Sequence, residues 1–279
     1  MEKIKVAVIG AGGKMGTRTS NNLVTKFPDK FDVKLVETFP PAVERIEKER
    51  GLKVTPVDEA LAFADVVIFA VPDTLIKKLS AEYVPMLKPG TVFLILDPAA
   101  AVAKELTLRD DCTFGVAHPC HPSYFKWQKE EEAYQDRFGG EGGHQDIVMS
   151  CIQGDEEKFK LAQETARCMY RADKAFVMTS EQIAFLEPTL VETLGATCCY
   201  AMAETVNEAV KRGIDREAAV SFLTGHVFNL TANFLGYLPG NPPVSDACKV
   251  ALEIGNHLVL RDDWKKIWDD ELLRKVIAT

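Results

Sequence analysis

The chain contains no long uncharged apolar run, so nothing in it reads as a membrane-spanning helix. It also lacks a basic excess. Thirty-three Lys and Arg face 41 Asp and Glu, a formal net charge of -8, which argues against nucleic acid or an anionic membrane as the main partner. It has no cysteine framework either: seven cysteines, an odd number without regular spacing, exclude a disulfide scaffold and suit the reduced thiols of a cytoplasm. Cys198-Cys199 reads as packing on a buried helix face. Internal repeats, low-complexity tracts and linker-like stretches are missing as well. What remains, 279 residues at 47% hydrophobic and 27% charged, is an ordinary globular composition with room for two modest domains.

Glycine is placed where it carries chemistry. The apolar run Lys5 to Ile9, read as a strand rather than a signal peptide, empties into Gly10-Ala11-Gly12-Gly13-Lys14-Met15-Gly16, and Thr17 to Lys26 can continue as a helix. Such a turn lays a pyrophosphate on a helix N-terminus, where unpaired N–H groups and the helix dipole favour anionic oxygens. Three residues rather than two separate Gly12 from Gly16, so Gly10, Gly13 and Gly16 are expected to make the close contacts. A second strand, Phe31 to Val36, ends at Glu37, where a carboxylate can bind both ribose hydroxyls of adenosine. No arginine follows in Thr38-Phe39-Pro40, which favours NAD over NADP.

Strands and helices then alternate. Val66 to Val71, Thr91 to Leu96 and Thr113 to Ala117 read as buried parallel strands, closed by Pro72-Asp73, Asp97-Pro98 and His118-Pro119-Cys120-His121-Pro122. Their carboxyl ends should gather on one rim with the glycine loop, placing Val71 and Asp73 beside the cofactor. From Ser123 to Asp146 the pattern breaks into a charged, glycine-rich segment expected to be a structureless lid. Two more strands, Ile147 to Gln153 and Lys174 to Met178, flank a helix from Glu156 to Arg171. After Thr179 only helices follow. The expected organisation is α/β: a doubly wound parallel Rossmann sheet over residues 1–179, then an all-helical substrate-binding and dimerisation domain over 180–279.

This plan resembles the 3-hydroxyacid dehydrogenase, 6-phosphogluconate dehydrogenase and ketol-acid reductoisomerase superfamily over nearly the whole chain. The glycine loop, Ala64 to Asp73, and the helix ending at Lys211-Arg212-Gly213-Ile214-Asp215 carry the resemblance. The runs His118 to Pro122 and Glu187-Pro188-Thr189-Leu190-Val191-Glu192-Thr193 are most similar to D-apionate oxidoisomerases. In the 3-hydroxyacid dehydrogenases a lysine on the first long helix is the general base. Counting back from Gly213 puts that place near Glu187 to Glu192, where this chain has carboxylates instead. Reductoisomerases use acids in the equivalent region to hold a divalent metal. The resemblance therefore implies metal-assisted oxidation of a small branched or polyhydroxylated sugar acid, with migration of a carbon substituent, by a homodimer using NAD.

The candidate catalytic residues are His118, His121 and Glu187. His118 and Glu187 are the leading ligands for zinc or magnesium; Cys120, His121 and Glu192 are weaker ones. A rigid turn whose histidines bond substrate or lid without metal stays open beside this reading. If Pro188 begins a helix, Glu187 stands just outside it, whereas Glu192 lies roughly 140° away on a regular helix. Glu181 suits a helix N-terminus, His226 and His257 read as structural, Trp264 as packing or a dimer contact, and Lys249 as a reserve carboxylate binder. Two alternatives remain: a simple hydroxyacid or phosphogluconate-type dehydrogenase, and a non-catalytic NAD sensor.

Overall fold

The computed structural model describes residues 2–277. The chain divides between Ala184 and Phe185 into two compact units. The expected boundary at 179 falls a few residues short. Helix α8 (Ser180–Leu186) begins within the first unit: Ser180 Oγ lies 2.7 Å from Ser150 Oγ, and Ile183 and Ala184 are buried.

The first unit holds one seven-stranded sheet in the order β2-β1-β3-β4-β5-β6-β7. The strands are β1 (Ile4–Ile9), β2 (Phe31–Val36), β3 (Val66–Phe69), β4 (Val92–Ile95), β5 (Thr113–Pro119), β6 (Gln145–Gln153) and β7 (Ala172–Val177). Every residue of β3 and β4 is buried, as expected of central strands covered on both faces. Phe69, Phe93 and Phe114 stack across β3, β4 and β5 with ring centroids 4.9 and 5.6 Å apart, and burying each ring stabilises by about 1.5–3 kcal/mol. The helices of this unit before α8 are α1 (Lys14–Thr25), α2 (Pro40–Glu44), α3 (Val57–Phe63), α4 (Asp73–Tyr83), α5 (Ala99–Val102), α6 (Glu131–Gln135) and α7 (Glu156–Tyr170). Buried Asn22 ties α1 to α7 through the Met169 carbonyl at 2.9 Å.

The sheet departs from the all-parallel expectation at one seam: β5 and β6 are antiparallel. No helical crossover joins them. Because the pair is antiparallel, with Pro119 opposite Ile147, the excursion from Cys120 to His144 leaves and re-enters on the rim that carries the carboxyl ends of β1 to β5. That places it beside the glycine loop rather than at the far edge.

The second unit is helical: α9 (Thr197–Lys211), α10 (Arg216–Phe234), α11 (Asp246–Val259) and α12 (Asp270–Ile277), preceded by a π-helical run, Glu187–Ala196. Asp215 and Ser245 cap α10 and α11 by accepting the amides of Ala218 and Cys248. Among the described residues no helix is long and apolar enough to cross a membrane.

Candidate active site

The glycine loop begins where β1 ends. Gly10 turns the chain at φ +76°, and a Cβ there would meet the Ala70 carbonyl oxygen at 2.5 Å. A Cβ on Gly16 would overlap the Gly10 carbonyl oxygen, so α1 can approach the loop only with glycine at that position. The third tight position is Gly12, against Ala42 and Glu37, rather than the expected Gly13. Gly13 is exposed and stands at the N-cap of α1 with no side-chain cap. The first-turn amides of Lys14, Met15 and Gly16 therefore lack intrahelical acceptors and suit an anion.

Glu37 lies one residue past β2 and is held by three amides. Oε2 accepts from Gly12 at 3.0 Å; Oε1 accepts from Thr38 at 2.8 Å and Phe39 at 3.0 Å. Val71 and exposed Asp73 follow β3, Asp73 in the first turn of α4. Both stand on the loop's rim.

Two strands farther along, β4 and β5 carry Asp97 and His118 side by side. Asp97 Oδ1 accepts the Ala99 amide at 2.7 Å. His118 Nδ1 is 2.8 Å from the Leu96 carbonyl oxygen, which can only accept, so Nδ1 carries a hydrogen and Nε2 is the ring nitrogen left for a ligand. An Asp97 oxygen and a His118 ring nitrogen lie within 4.8 Å of each other, close enough to share a cation. Sequence reasoning placed Asp97 on the rim but did not name it among the candidate ligands. Its signal was there: an acid one turn of chain past a buried strand, next to the strand ending in His118.

The weaker metal candidates separate from this pair. Neither Cys120, His121 nor Glu192 belongs to any group of three ligand atoms able to hold a metal among the described residues. His121 adopts φ +61°, which turns its Nδ1 toward the Phe138 carbonyl oxygen at 2.9 Å. Cys120 is an exposed residue, and desolvation of its thiol, reinforced by the Asp146 charge, pushes it up to about 11. Glu192 is exposed on the π-helical run.

The run from Ser123 to Asp146 is not structureless: it includes α6 and is fastened at base and tip. At the base, Lys126 bridges Asp146 at 2.6 Å and Asp173 at 2.9 Å, and Gln128 exchanges two hydrogen bonds with the His144 backbone. Arg171 donates to His144 Nε2 at 2.7 Å, which leaves Nδ1–H to donate to Asp173 at 2.9 Å. At the tip, Asp136 gathers four amides: Gly139 on Oδ1, and Glu141, Gly142 and Gly143 on Oδ2, at 2.8–3.0 Å. Burial alone would raise this carboxyl, but the four amides outweigh it and hold it below the ordinary carboxylate range. Asn21 donates to the Gly140 carbonyl at 2.9 Å.

In the second unit the expectation that Pro188 starts a helix is corrected. Leu186 is already helical, and Glu187 and Pro188 lie in a continuous helical path. Proline brings no N–H and a ring that collides with the preceding turn, and the wider π register accommodates both. Bonding from i to i+5 also returns residues five apart toward one face, so the 140° separation of Glu187 and Glu192 does not apply. Glu187 is half-buried. Glu181 is exposed in the first turn of α8. His226 bonds the Phe222 carbonyl at 2.7 Å and stacks on its ring, and Lys249 pairs with Asp246 at 2.8 Å. His257 is exposed and Trp264 half-buried.

Comparison with known proteins matches residues 126–279 to the family described as phosphogluconate dehydrogenase (decarboxylating) C-term. Residues 1–116 match the acetohydroxy acid isomeroreductase, NADPH-binding domain. A D-apionate oxidoisomerase of Blautia hydrogenotrophica is 72% identical over 100% of this chain and 97% of its own length. One from Cupriavidus necator is 42% identical over 99% of this chain and 98% of its own. Among solved structures, a semialdehyde dehydrogenase NAD-binding protein from Cupriavidus necator, in complex with calcium and NAD, is 41% identical. It superposes with a TM-score of 0.91, covering 99% of each chain.

Proposed function

From a chain that belongs to the D-apionate oxidoisomerase family, we propose an NAD-dependent oxidoreductase that oxidises and rearranges a branched sugar acid such as D-apionate. The observation that carries the reading is the Asp97–His118 pair, set on the rim that also carries the glycine loop and Glu37. Glu37 would take the adenosine ribose, and the uncapped amides of α1, with Lys14 beside them, would take the pyrophosphate. The nicotinamide would then run past Val71 and Asp73 toward β4 and β5, about three strand spacings or ~14 Å from β1.

Asp97 and His118 offer a carboxylate and an imidazole suited to a divalent cation, and Glu187 would supply a second carboxylate to it. When bound, the cation supplies Lewis acidity toward adjacent substrate oxygens and NAD supplies the hydride acceptor. The chain's own residues do the rest. The Leu96 carbonyl holds His118 through Nδ1–H, so Nε2 would be the ring atom that turns to a cation or substrate oxygen. His121, held through Nδ1, presents Nε2 as the atom able to accept and return the hydroxyl proton.

The helical unit supports a homodimer. Helix α11 buries none of its residues, and Phe222, Leu258 and Val259 are 70%, 80% and 71% exposed. A second copy of this chain would cover that apolar surface. A cytoplasmic setting suits the seven unpaired thiols.

The test is NADH absorbance during incubation with D-apionate, NAD and a divalent cation, with product identified by mass spectrometry and NMR. NADH with a rearranged keto acid supports the reading. NADH with an unrearranged product points to a simple dehydrogenase. Tight NAD binding without turnover, unaffected by His118→Ala, would make the chain a sensor and overturn the proposal.

A further inference from the structure

The tip of the strap lies over the start of α1. The Phe138 ring has Lys14 Nζ 3.8 Å from its centroid and Arg18 Cζ 3.6 Å from it. Two cations one helical turn apart thus pack against one aromatic ring, and among the described residues neither makes an ion pair with a carboxylate. Arg18 also meets the Met15 sulfur at 3.7 Å, and the charges of Asp136 and Glu141 act on it without a direct ion pair. The ring quadrupole offsets only part of the positive charge gathered there. The same end of α1 offers the uncapped amides of Lys14, Met15 and Gly16. A ligand bearing two negative charges would balance both features at once.

The ring is built into place rather than left on a loose loop. The Asp136 collar folds the backbone directly after Phe138, Asn21 of α1 holds Gly140, and Arg171 holds the Gly142 carbonyl. On its other side Phe138 accepts the His121 imidazole N–H through its carbonyl and meets the ring edge-on at a centroid distance of 5.0 Å.

The geometry points to Arg18 and Phe138 as the outer wall of the dinucleotide's pyrophosphate site. Phe138 is a positioning residue: it aims the Lys14 and Arg18 cations at the phosphates and links that grip to the orientation of His121. The inference rests on NAD binding at the glycine loop and adds residues that the loop motif does not contain.

The test compares ADP-ribose, which carries the pyrophosphate, with adenosine, which does not, by calorimetry on the full chain. Phe138→Ala and Arg18→Met should each weaken ADP-ribose about five- to tenfold and leave adenosine within about twofold, whereas Phe138→Tyr keeps the parental affinity. In the unaltered protein, ADP-ribose affinity should fall with added salt much more steeply than adenosine affinity, a readout that needs no variant. Unchanged ADP-ribose binding in both variants, or equal salt slopes for the two ligands, overturns the proposal. So does a loss confined to the KM for the sugar acid, which would assign the cations to the substrate carboxylate. Failure of adenosine to bind the parental protein would instead refute the NAD reading itself.

Discussion

Replacing Glu37 by glutamine probes the adenosine end of the site at almost constant volume. The carboxylate accepts three backbone amides through its two oxygens. An amide keeps one oxygen. If that oxygen retains Thr38 and Phe39, the NH₂ group faces the Gly12 N–H and that donor is left unpaired at a cost of about 1–3 kcal/mol. Without cofactor the melting temperature should therefore drop by a few degrees. The larger effect is on recognition. A ribose diol donating to a carboxylate makes charge-assisted bonds worth about 1.5–3 kcal/mol, against about 1 for a neutral acceptor, so NAD affinity should fall roughly 2- to 30-fold. NADP responds in the opposite sense. A 2′-phosphate about 4 Å from the carboxylate is repelled by up to about 4 kcal/mol per unit charge near a protein surface, and the substitution removes that term. The NAD-to-NADP preference should shrink at least a hundredfold when both dissociation constants are measured by calorimetry. Unchanged constants for both cofactors would show that Glu37 braces the loop and does not touch the ribose.

Three further outcomes follow from the geometry. Gly16→Ala should abolish NAD binding or unfold the loop, since the new methyl overlaps the Gly10 carbonyl; a variant that folds, by circular dichroism, and still binds NAD normally would contradict that packing. Asp136, held below the ordinary carboxylate range, contributes strap stability that is complete above about pH 4 and is lost as pH falls through its lowered value. Asp136→Asn should remove that contribution at neutral pH, seen as faster tryptic cleavage after exposed Arg137, while wild-type cleavage stays slow and constant from pH 6 to roughly 9. Cys120→Ala should leave divalent-cation and NAD affinity unchanged. A thiol near 11 is about one ten-thousandth thiolate at pH 7, and a drop in cation affinity would return Cys120 to the ligand set.

The parts of this protein legible in its sequence are those set by short-range chemistry. The strands β3 and β4 announce themselves as continuous apolar runs because both faces are covered, and the glycine loop does so because no other residue fits at Gly10 or Gly16. The place of Glu37 beside the loop was legible from its spacing, which the βαβ unit fixes, and that of His118 on the rim from the strand ending. The misses share a different cause. Which strand lies antiparallel, whether the glycine-rich segment is loose or fastened, and which of several acids and histidines face one another depend on contacts between residues far apart in the chain. The Asp136 collar could not be foreseen because one carboxylate and four local amides close only when the segment turns back on itself at Gly139 and Gly140. Phe138 gave no signal at all: an aromatic among glycines acquires meaning only when α1 brings Lys14 and Arg18 beneath it. Periodicity and turn chemistry are local and survive in one dimension; partnership between side chains is decided by the sheet that folds the rim together.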